Sequence, residues 1–147
     1  MTQEGEGSVK VRQRIDAPAP LVAAYMGDFR HAKEWMVGVE SVESLEEDTY
    51  RLRLETPVGK LEPEVTVHEH SPERVRWSYN STIEGGGLVE ISPDGAGGSI
   101  VAYSGEFRLK QRLLSRVAKV AGMNRFARKN GERSLARLKY LMEARRY

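Results

Sequence analysis

Alternation of apolar and polar residues dominates the first three quarters of the chain. From Ser8 to Asp16, valine and isoleucine side chains alternate with lysine and arginine, which is the pattern of a strand with one buried face. Gln13 lies on the inner face of this strand. Similar patterns bounded by turn residues predict six further strands, at Val39–Glu46, Tyr50–Glu55, Leu61–Ser71, Arg74–Tyr79, Leu88–Ser92 and Val101–Leu109.

Two short helices are predicted between the first and second strands. Leu21–Met26 is apolar and follows a proline near its start, which helices tolerate. In the next segment, Phe29, Ala32 and Trp35 fall on one helical face. The later strands are joined by short turns, so neighbouring strands must run antiparallel.

The last quarter of the chain, Met123 to Tyr147, has helical spacing. Apolar residues recur every three or four positions, and the opposite face is rich in arginine and lysine. Such a helix is stabilised mainly by burying its apolar face. Because most of the preceding chain is predicted to be strand, we predict an α+β fold, with a curved antiparallel sheet of about seven strands around this long helix.

Three small or polar residues lie in the middle of that apolar face: Asn130, Gly131 and Ser134. Glycine inside a helix costs about 1 kcal/mol relative to alanine. Two explanations stay open at this point. Either another part of the chain packs closely against the helix here, or a space is kept open beside it.

Composition restricts the class of protein. The 147 residues predict a disordered tail of residues 1–7 followed by one domain, residues 8–147. There is no cysteine, which excludes disulfides and thiol catalysis. With no apolar run of membrane-spanning length and no signal peptide at the N-terminus, we expect a cytoplasmic protein.

Charge is segregated along the chain. From Lys110 to Tyr147 there are 12 basic and two acidic residues, a net charge of +10, whereas residues 1–109 carry 11 basic and 19 acidic residues, a net charge of −8. A solvated helix face explains this, and so does transient contact with an anionic membrane. A nucleic-acid partner is not expected, because no recognition motif or exposed aromatic series accompanies the basic residues.

Several short motifs occur in an order that resembles a known superfamily. Ile15-Asp16-Ala17-Pro18 leads into a helix, Asp28-Phe29 and Glu34-Trp35-Met36 follow, and a Pro-Asp-Gly turn lies between the last two strands. This order is similar to that of the START-like, or SRPBCC, superfamily. The polyketide cyclase/dehydrase-like and coenzyme Q-binding-protein-like groups are the most similar. The resemblance covers residues 8 to 145 and implies a helix-grip fold with a hydrophobic cavity between sheet and long helix. It does not imply one activity.

Candidate catalytic groups are few. His68 and His70 are predicted on one outer strand face, opposite Val65 and Val67. A third metal ligand is not apparent near this pair, so no metal or other cofactor is predicted. The run Gly85–Gly87 lacks the spacing of a phosphate-binding loop and is interpreted as a flexible connection at the cavity rim. Glu106 is predicted on an outer face.

Aromatic residues on predicted inner faces are more informative than the charged ones. Buried tyrosine and tryptophan need partners for their polar atoms, and Gln13, Asn130 and Ser134 are candidates. An apolar pocket with few polar groups is the usual form of a small-molecule site, although for any single residue ordinary core packing is the favoured explanation. The residues predicted to bind a ligand are Trp35, Tyr50, Leu54, Trp77, Tyr79, Tyr103, Phe107, Met123, Phe126, Asn130, Gly131 and Ser134.

Two functions are compatible with this pattern. The first is binding or carriage of a small hydrophobic or amphipathic ligand, such as a lipid, a quinone or a polyketide-like molecule. The alternative is a cyclase/dehydratase-type enzyme acting on a polyketide-like substrate in the same cavity. Tyr79 and Tyr103 are the best candidate titratable groups there, and tyrosine is a poor general base near neutral pH. The sequence therefore favours binding.

Overall fold

The computed structural model describes residues 6–57, 59–81, 83–109 and 123–145. Within these ranges the chain forms one large sheet, a pair of short helices and one long helix. The strands are β1 (Glu6–Ile15), β2 (Val39–Glu46), β3 (Thr49–Thr56), β4 (Gly59–Leu61), β5 (Glu64–His70), β6 (Arg74–Asn80), β7 (Ile83–Pro93) and β8 (Ser99–Leu109). The helices are α1 (Ala19–Gly27), α2 (Ala32–Trp35), which follows a 3₁₀ turn at Phe29–His31, and α3 (Met123–Ala144).

The sheet has the strand order β1-β8-β7-β6-β5-β3-β2, and β4 pairs with β3. Every strand pair within the described residues is antiparallel. Helix α3 packs against β1 and against α2, so the apolar face of α3 is buried beside the sheet. The α+β helix-grip prediction is confirmed. None of the described helices is long and apolar enough to cross a bilayer.

The predicted faces of the first strand and of the short helices are confirmed. Val9 and Ile15 are buried while Lys10 is exposed. Phe29, Ala32 and Trp35 are all buried in the main core. Strand β1 starts at Glu6, whose backbone pairs with Arg108, so the predicted disordered tail was wrong at residues 6 and 7. The rest of that tail, residues 1–5, lies outside the described residues.

The strand predicted at Leu61–Ser71 is interrupted at Pro63. Both pieces pair with β3 in one register, since Leu61 lies opposite Leu54 and Glu64 lies opposite Arg51. Proline has no N–H to donate to a sheet, although its carbonyl still accepts a 3.0 Å bond from the Leu52 N–H. The prediction of one unbroken strand was therefore wrong only locally.

The glycine run was predicted to be a flexible connection, but it lies in the interior of β7. Gly87 pairs with Trp77 on one side and with Gly105 on the other. A Cβ atom on Gly87 would lie 2.3 Å from Trp77 Cζ2, and one on Gly105 would lie 2.5 Å from the Tyr103 hydroxyl. These two glycines are required because two large aromatic side chains lie across them.

A bulge in β5 separates the two histidines. Pairing with β6 shifts between Val67 and Glu69, so that His70 lies opposite the buried Val75. His68 instead contacts the Ser78 hydroxyl at 2.7 Å on the outer face. The prediction that both share the outer face was wrong, because the bulge adds one residue and reverses the alternation after it. Both histidines are exposed, as predicted, and no cluster of three metal-ligating side chains occurs within the described ranges.

Candidate functional site

A cavity of about 130 Å³ lies between the inner face of the sheet and helix α3. The segment after α2, Met36–Gly38, closes one side of it. The cavity is bordered by the main core and by a smaller hydrophobic cluster around Leu61 and Ile83. Its lining is mostly apolar. The sheet contributes Val9, Leu52, Leu54, Trp77, Tyr79, Ile83, Tyr103, Gly105 and Phe107, and α3 contributes Phe126, Ala127, Asn130, Gly131, Ser134 and Leu135.

Ten of the twelve residues predicted to bind a ligand line this cavity: Trp35, Leu54, Trp77, Tyr79, Tyr103, Phe107, Phe126, Asn130, Gly131 and Ser134. Tyr50 does not line it. Its ring packs against Phe29 at 5.7 Å between centroids and borders a separate surface groove with Asp28 and His70. The side chain of Met123 lies outside the described part of the chain. Whether the ten residues bind a ligand stays a prediction.

Other lining residues were not predicted. Val9, Leu52 and Leu135 sit on apolar faces, where a cavity wall cannot be distinguished from ordinary core. Met36, Val37, Gly38 and Val39 follow a helix in a segment without periodicity. The sequence signal that could have located this segment is Gly38, whose φ of 93° favours glycine.

The polar residues of α3 hold that segment in place. The Ser134 hydroxyl accepts a 2.9 Å bond from the Val37 N–H, and the Asn130 side chain donates to the Val37 carbonyl. The Gly38 carbonyl accepts a further 2.9 Å bond from the Glu55 N–H. The loop is thus bonded to both the helix and β3. Since a buried backbone group without a partner is costly, these bonds explain why polar residues interrupt the apolar face.

The hydrogen-bond partners predicted for the buried aromatic residues were therefore wrong. Asn130 and Ser134 bond to the Val37 backbone. The Gln13 side chain donates instead to the Arg14 carbonyl at 3.1 Å. The error arose because a loop backbone, which no side-chain pattern reveals, competes for the same polar groups.

Both explanations for Gly131 hold in part. A Cβ atom there would lie 3.3 Å from Val11 Cγ2 and 3.4 Å from Tyr103 Cε2. Gly131 therefore allows α3 to pack closely on β1 and β8. It also forms part of the cavity wall, so the open space begins beside this close contact.

The polar atoms of three aromatic side chains lie close together at the cavity wall. The Trp77 ring stacks on Tyr103, with 6.1 Å between centroids and 9° between planes. Trp77 Nε1 is buried and makes no hydrogen bond of normal geometry with a described residue. It lies near enough to the Tyr79 hydroxyl to lower the pKa of that group.

Burial raises the pKa of Tyr103, and the neighbouring Tyr79 raises it further. Burial also raises the pKa of Tyr79, partly offset by the Trp77 N–H and the Tyr103 hydroxyl. Both tyrosines stay protonated at neutral pH.

The charged groups that the described residues place at the cavity are acidic. Among the described lining residues, Glu55 and Glu106 are the only ones with a formal charge. Glu106 alternates with Gly105 and Phe107 and also borders a groove on the other side of the sheet, which agrees with its predicted outer-face position. Lysine, arginine and histidine are absent from the described lining. The cavity therefore offers aromatic surface and neutral hydrogen-bond donors.

Residues 6–143 match the model of the family described as polyketide cyclase / dehydrase and lipid transport. The chain belongs to this family. Among curated proteins, none matches the chain.

Solved structures similar to this member of the family cover almost all of it. A Deinococcus radiodurans protein is 23% identical, with a TM-score of 0.68, covering 93% of this chain and 97% of its own. A START superfamily protein from Mycobacterium smegmatis is 14% identical, with a TM-score of 0.71, covering 93% and 97%. The di-domain ARO/CYC BexL from the BE-7585A biosynthetic pathway is 20% identical, with a TM-score of 0.75, covering 99% of this chain and 52% of BexL. At these identities the likeness extends to the fold alone.

Proposed function

We propose that this family member binds a small hydrophobic or amphipathic ligand in the cavity between the sheet and α3, and so can carry it. The candidate classes are lipid, quinone and polyketide-like molecules. The observation that carries the proposal is a mostly apolar cavity of about 130 Å³ between the sheet and α3. At about 24 cal/mol per Å³, an empty cavity of this size costs about 3 kcal/mol, against a whole-domain stability of about 5 to 15 kcal/mol. A bound ligand offsets that cost.

The cavity volume limits what fits without rearrangement. Drug-sized ligands occupy about 300 to 1,000 Å³, whereas an apolar cavity of about 150 Å³ binds benzene. At about 130 Å³, the cavity suits a group the size of one aromatic ring. A longer ligand has to extend out of the cavity or displace the Met36–Gly38 segment, which would break the bonds of that segment to Asn130 and Ser134.

The enzyme alternative, a cyclase/dehydratase-type activity, has less support. Such chemistry needs a group that exchanges a proton near neutral pH. Tyr79 and Tyr103 have raised pKa values, and histidine is absent from the described lining. The two tyrosines serve as hydrogen-bond donors, which is a role in binding.

Tryptophan emission provides the test of binding. Trp35 and Trp77 are the chain's two tryptophans, and both line the cavity. We expect titration with the neutral probe isopropylbenzene to give a saturable change in tryptophan emission and a rise in Tm. A response that stays linear up to the solubility limit, with no rise in Tm, would contradict the proposal.

The outer face of α3 supports a second contact, with an anionic membrane. Arg125, Lys129 and Arg133 follow one another at four-residue steps, are exposed, and form no ion pair with any described residue. Tyr140 lies further along the same helix and is 72% exposed. Each basic residue near an anionic leaflet is worth about 1 kcal/mol, so weak, salt-sensitive docking is proposed. A cytoplasmic location and the absence of a nucleic-acid partner stay predictions.

Sedimentation with vesicles tests this contact. We expect the protein to co-sediment with phosphatidylglycerol vesicles at low salt and to be released at high salt. Lys129→Glu/Arg133→Glu should abolish binding. Lys10→Glu/Arg12→Glu, which makes the same change in charge at exposed positions of β1, should retain most of it. Equal loss in both variants would indicate a net-charge effect and overturn the assignment to α3.

A further inference from the structure

One buried donor in the cavity wall makes no hydrogen bond of normal geometry with any described residue. Trp77 is 3% exposed, lines the cavity, and its Nε1–H makes no hydrogen bond with the described residues. A buried N–H left without a partner costs about 1 to 3 kcal/mol. Such groups are uncommon in folded proteins, and one at a cavity wall calls for a partner from outside the chain.

Two further donors lie beside it. The Tyr79 hydroxyl is near both Trp77 Nε1 and the Tyr103 hydroxyl. Tryptophan N–H is a donor only, and a protonated tyrosine hydroxyl can donate one hydrogen bond. When Tyr103 donates to the Tyr79 oxygen, the Tyr79 proton remains free to be donated elsewhere. Trp77, Tyr79 and Tyr103, which we call the donor set, therefore present more donors than acceptors.

The sheet is built to hold the donor set. Gly87 and Gly105 pair with each other and leave the space that the indole and the Tyr103 hydroxyl occupy, since a Cβ on either would lie within 2.5 Å of them. The rings of Trp77 and Tyr103 stack almost parallel. This packing fixes both side chains before any ligand arrives.

The lining residues that the structure describes offer no positive charge to an anionic ligand. Its charged lining residues within the described chain are Glu55 and Glu106. A carboxylate buried there would lose its hydration without gaining an ion pair, which is strongly unfavourable. A neutral acceptor oxygen loses less hydration and is matched by the donors available.

We propose that the donor set selects an uncharged ligand bearing a carbonyl-type acceptor oxygen, which accepts hydrogen bonds from Trp77 Nε1 and the Tyr79 hydroxyl, and that it rejects carboxylates of the same size. This inference rests on the proposed binding function and adds a ligand class to it. A ketone, aldehyde or ester group satisfies it, whereas a free fatty acid does not.

Three probes of nearly equal shape separate the possibilities: isopropylbenzene, acetophenone and benzoate. Isopropylbenzene carries no oxygen, acetophenone carries one neutral carbonyl, and benzoate carries a carboxylate. Calorimetric titration of the wild-type chain at pH 7 should give saturable binding of the two neutral probes and none of benzoate. Binding of neither neutral probe defeats the proposed function itself, whereas benzoate binding as tight as that of acetophenone defeats only this inference.

Removing one hydroxyl tests the donor set directly. Because one net hydrogen bond is worth about 1 kcal/mol, Tyr79→Phe should weaken acetophenone binding about five- to tenfold and leave isopropylbenzene binding unchanged. Tyr140→Phe, at an exposed position, is the matched control and should change neither. If Tyr79→Phe does not fold, Tyr103→Phe replaces it, with a smaller loss expected in the same direction.

The indole N–H resonances give a second readout. The two tryptophans give two such signals in a ¹⁵N–¹H spectrum, and that of Trp77 should move downfield with acetophenone but not with isopropylbenzene. An equal shift with both probes, together with an equal effect of Tyr79→Phe on both, would show that the Trp77 N–H does not bond to the ketone oxygen and would overturn the inference.

Discussion

Leu138→Ala is expected to lower the free energy of unfolding by about 2 to 5 kcal/mol, the range for removing a large buried aliphatic side chain. Leu138 is 0% exposed and belongs to the main core. It lies on the face of α3 that packs against the sheet. Because a helix of this kind is held mainly by burial of its apolar face, the loss should appear as a lower denaturant midpoint with one cooperative transition.

The matched control is Leu45→Ala, the same change at an exposed position of β2. Its effect should stay within about 0.5 kcal/mol, as for ordinary surface sites. Two variants with equal stability would contradict the burial of this face of α3 against the sheet.

Ala127→Leu is expected to change stability and binding in opposite directions. Ala127 lines the cavity from α3, and leucine adds three carbon atoms where about 130 Å³ is open. Filling part of a cavity recovers part of its cost, which is about 24 cal/mol per Å³, so Tm should rise or hold. The same atoms take the volume that a ring-sized ligand needs, so isopropylbenzene binding should weaken more than tenfold.

Ala136→Leu is the control for this change, because Ala136 lies on the exposed face of the same helix. It should leave binding unchanged and stability within about 0.5 kcal/mol. A marked loss of stability in Ala127→Leu would indicate overpacking, which costs about 1 to 3 kcal/mol, and would mean that the space beside Ala127 is smaller than described.

Much of the fold could be predicted because periodicity reports burial directly. The alternation in β1 placed Val9 inside and Lys10 outside, and the spacing after Met123 identified the buried face of α3 through Leu135 and Leu138. These patterns depend only on which face meets water. The interruption at Pro63 was missed although proline itself is a signal that a strand is broken. The bulge after Val67 was missed because the extra residue leaves no mark in the composition of the strand.

The candidate site was predictable to a similar degree, and for the same reason. Trp77, Tyr79, Tyr103 and Phe107 fall on inner faces by simple alternation. Tyr50 has the same pattern, but its position along β3 brings it to Phe29, beyond the reach of the cavity. Alternation fixes which face a side chain occupies and says nothing about which end of the sheet a helix or loop will cover.

The role of the glycines required the structure. Gly87 and Gly105 are far apart in the sequence, and only strand pairing brings them together beneath Trp77 and Tyr103. A glycine run has many local explanations, and the sequence alone favoured flexibility. These positions require glycine because of side chains that approach them from neighbouring strands, and the local sequence does not show which strands are neighbours.

The most direct test of the central claim is a crystal structure of the protein soaked with bromobenzene, using the anomalous signal of bromine to locate the ring. A ligand cavity between sheet and helix predicts a strong peak enclosed by Leu54, Trp77 and Ala127. A peak only in the surface groove beside Tyr50, or no peak at a concentration that saturates small apolar cavities, would contradict it.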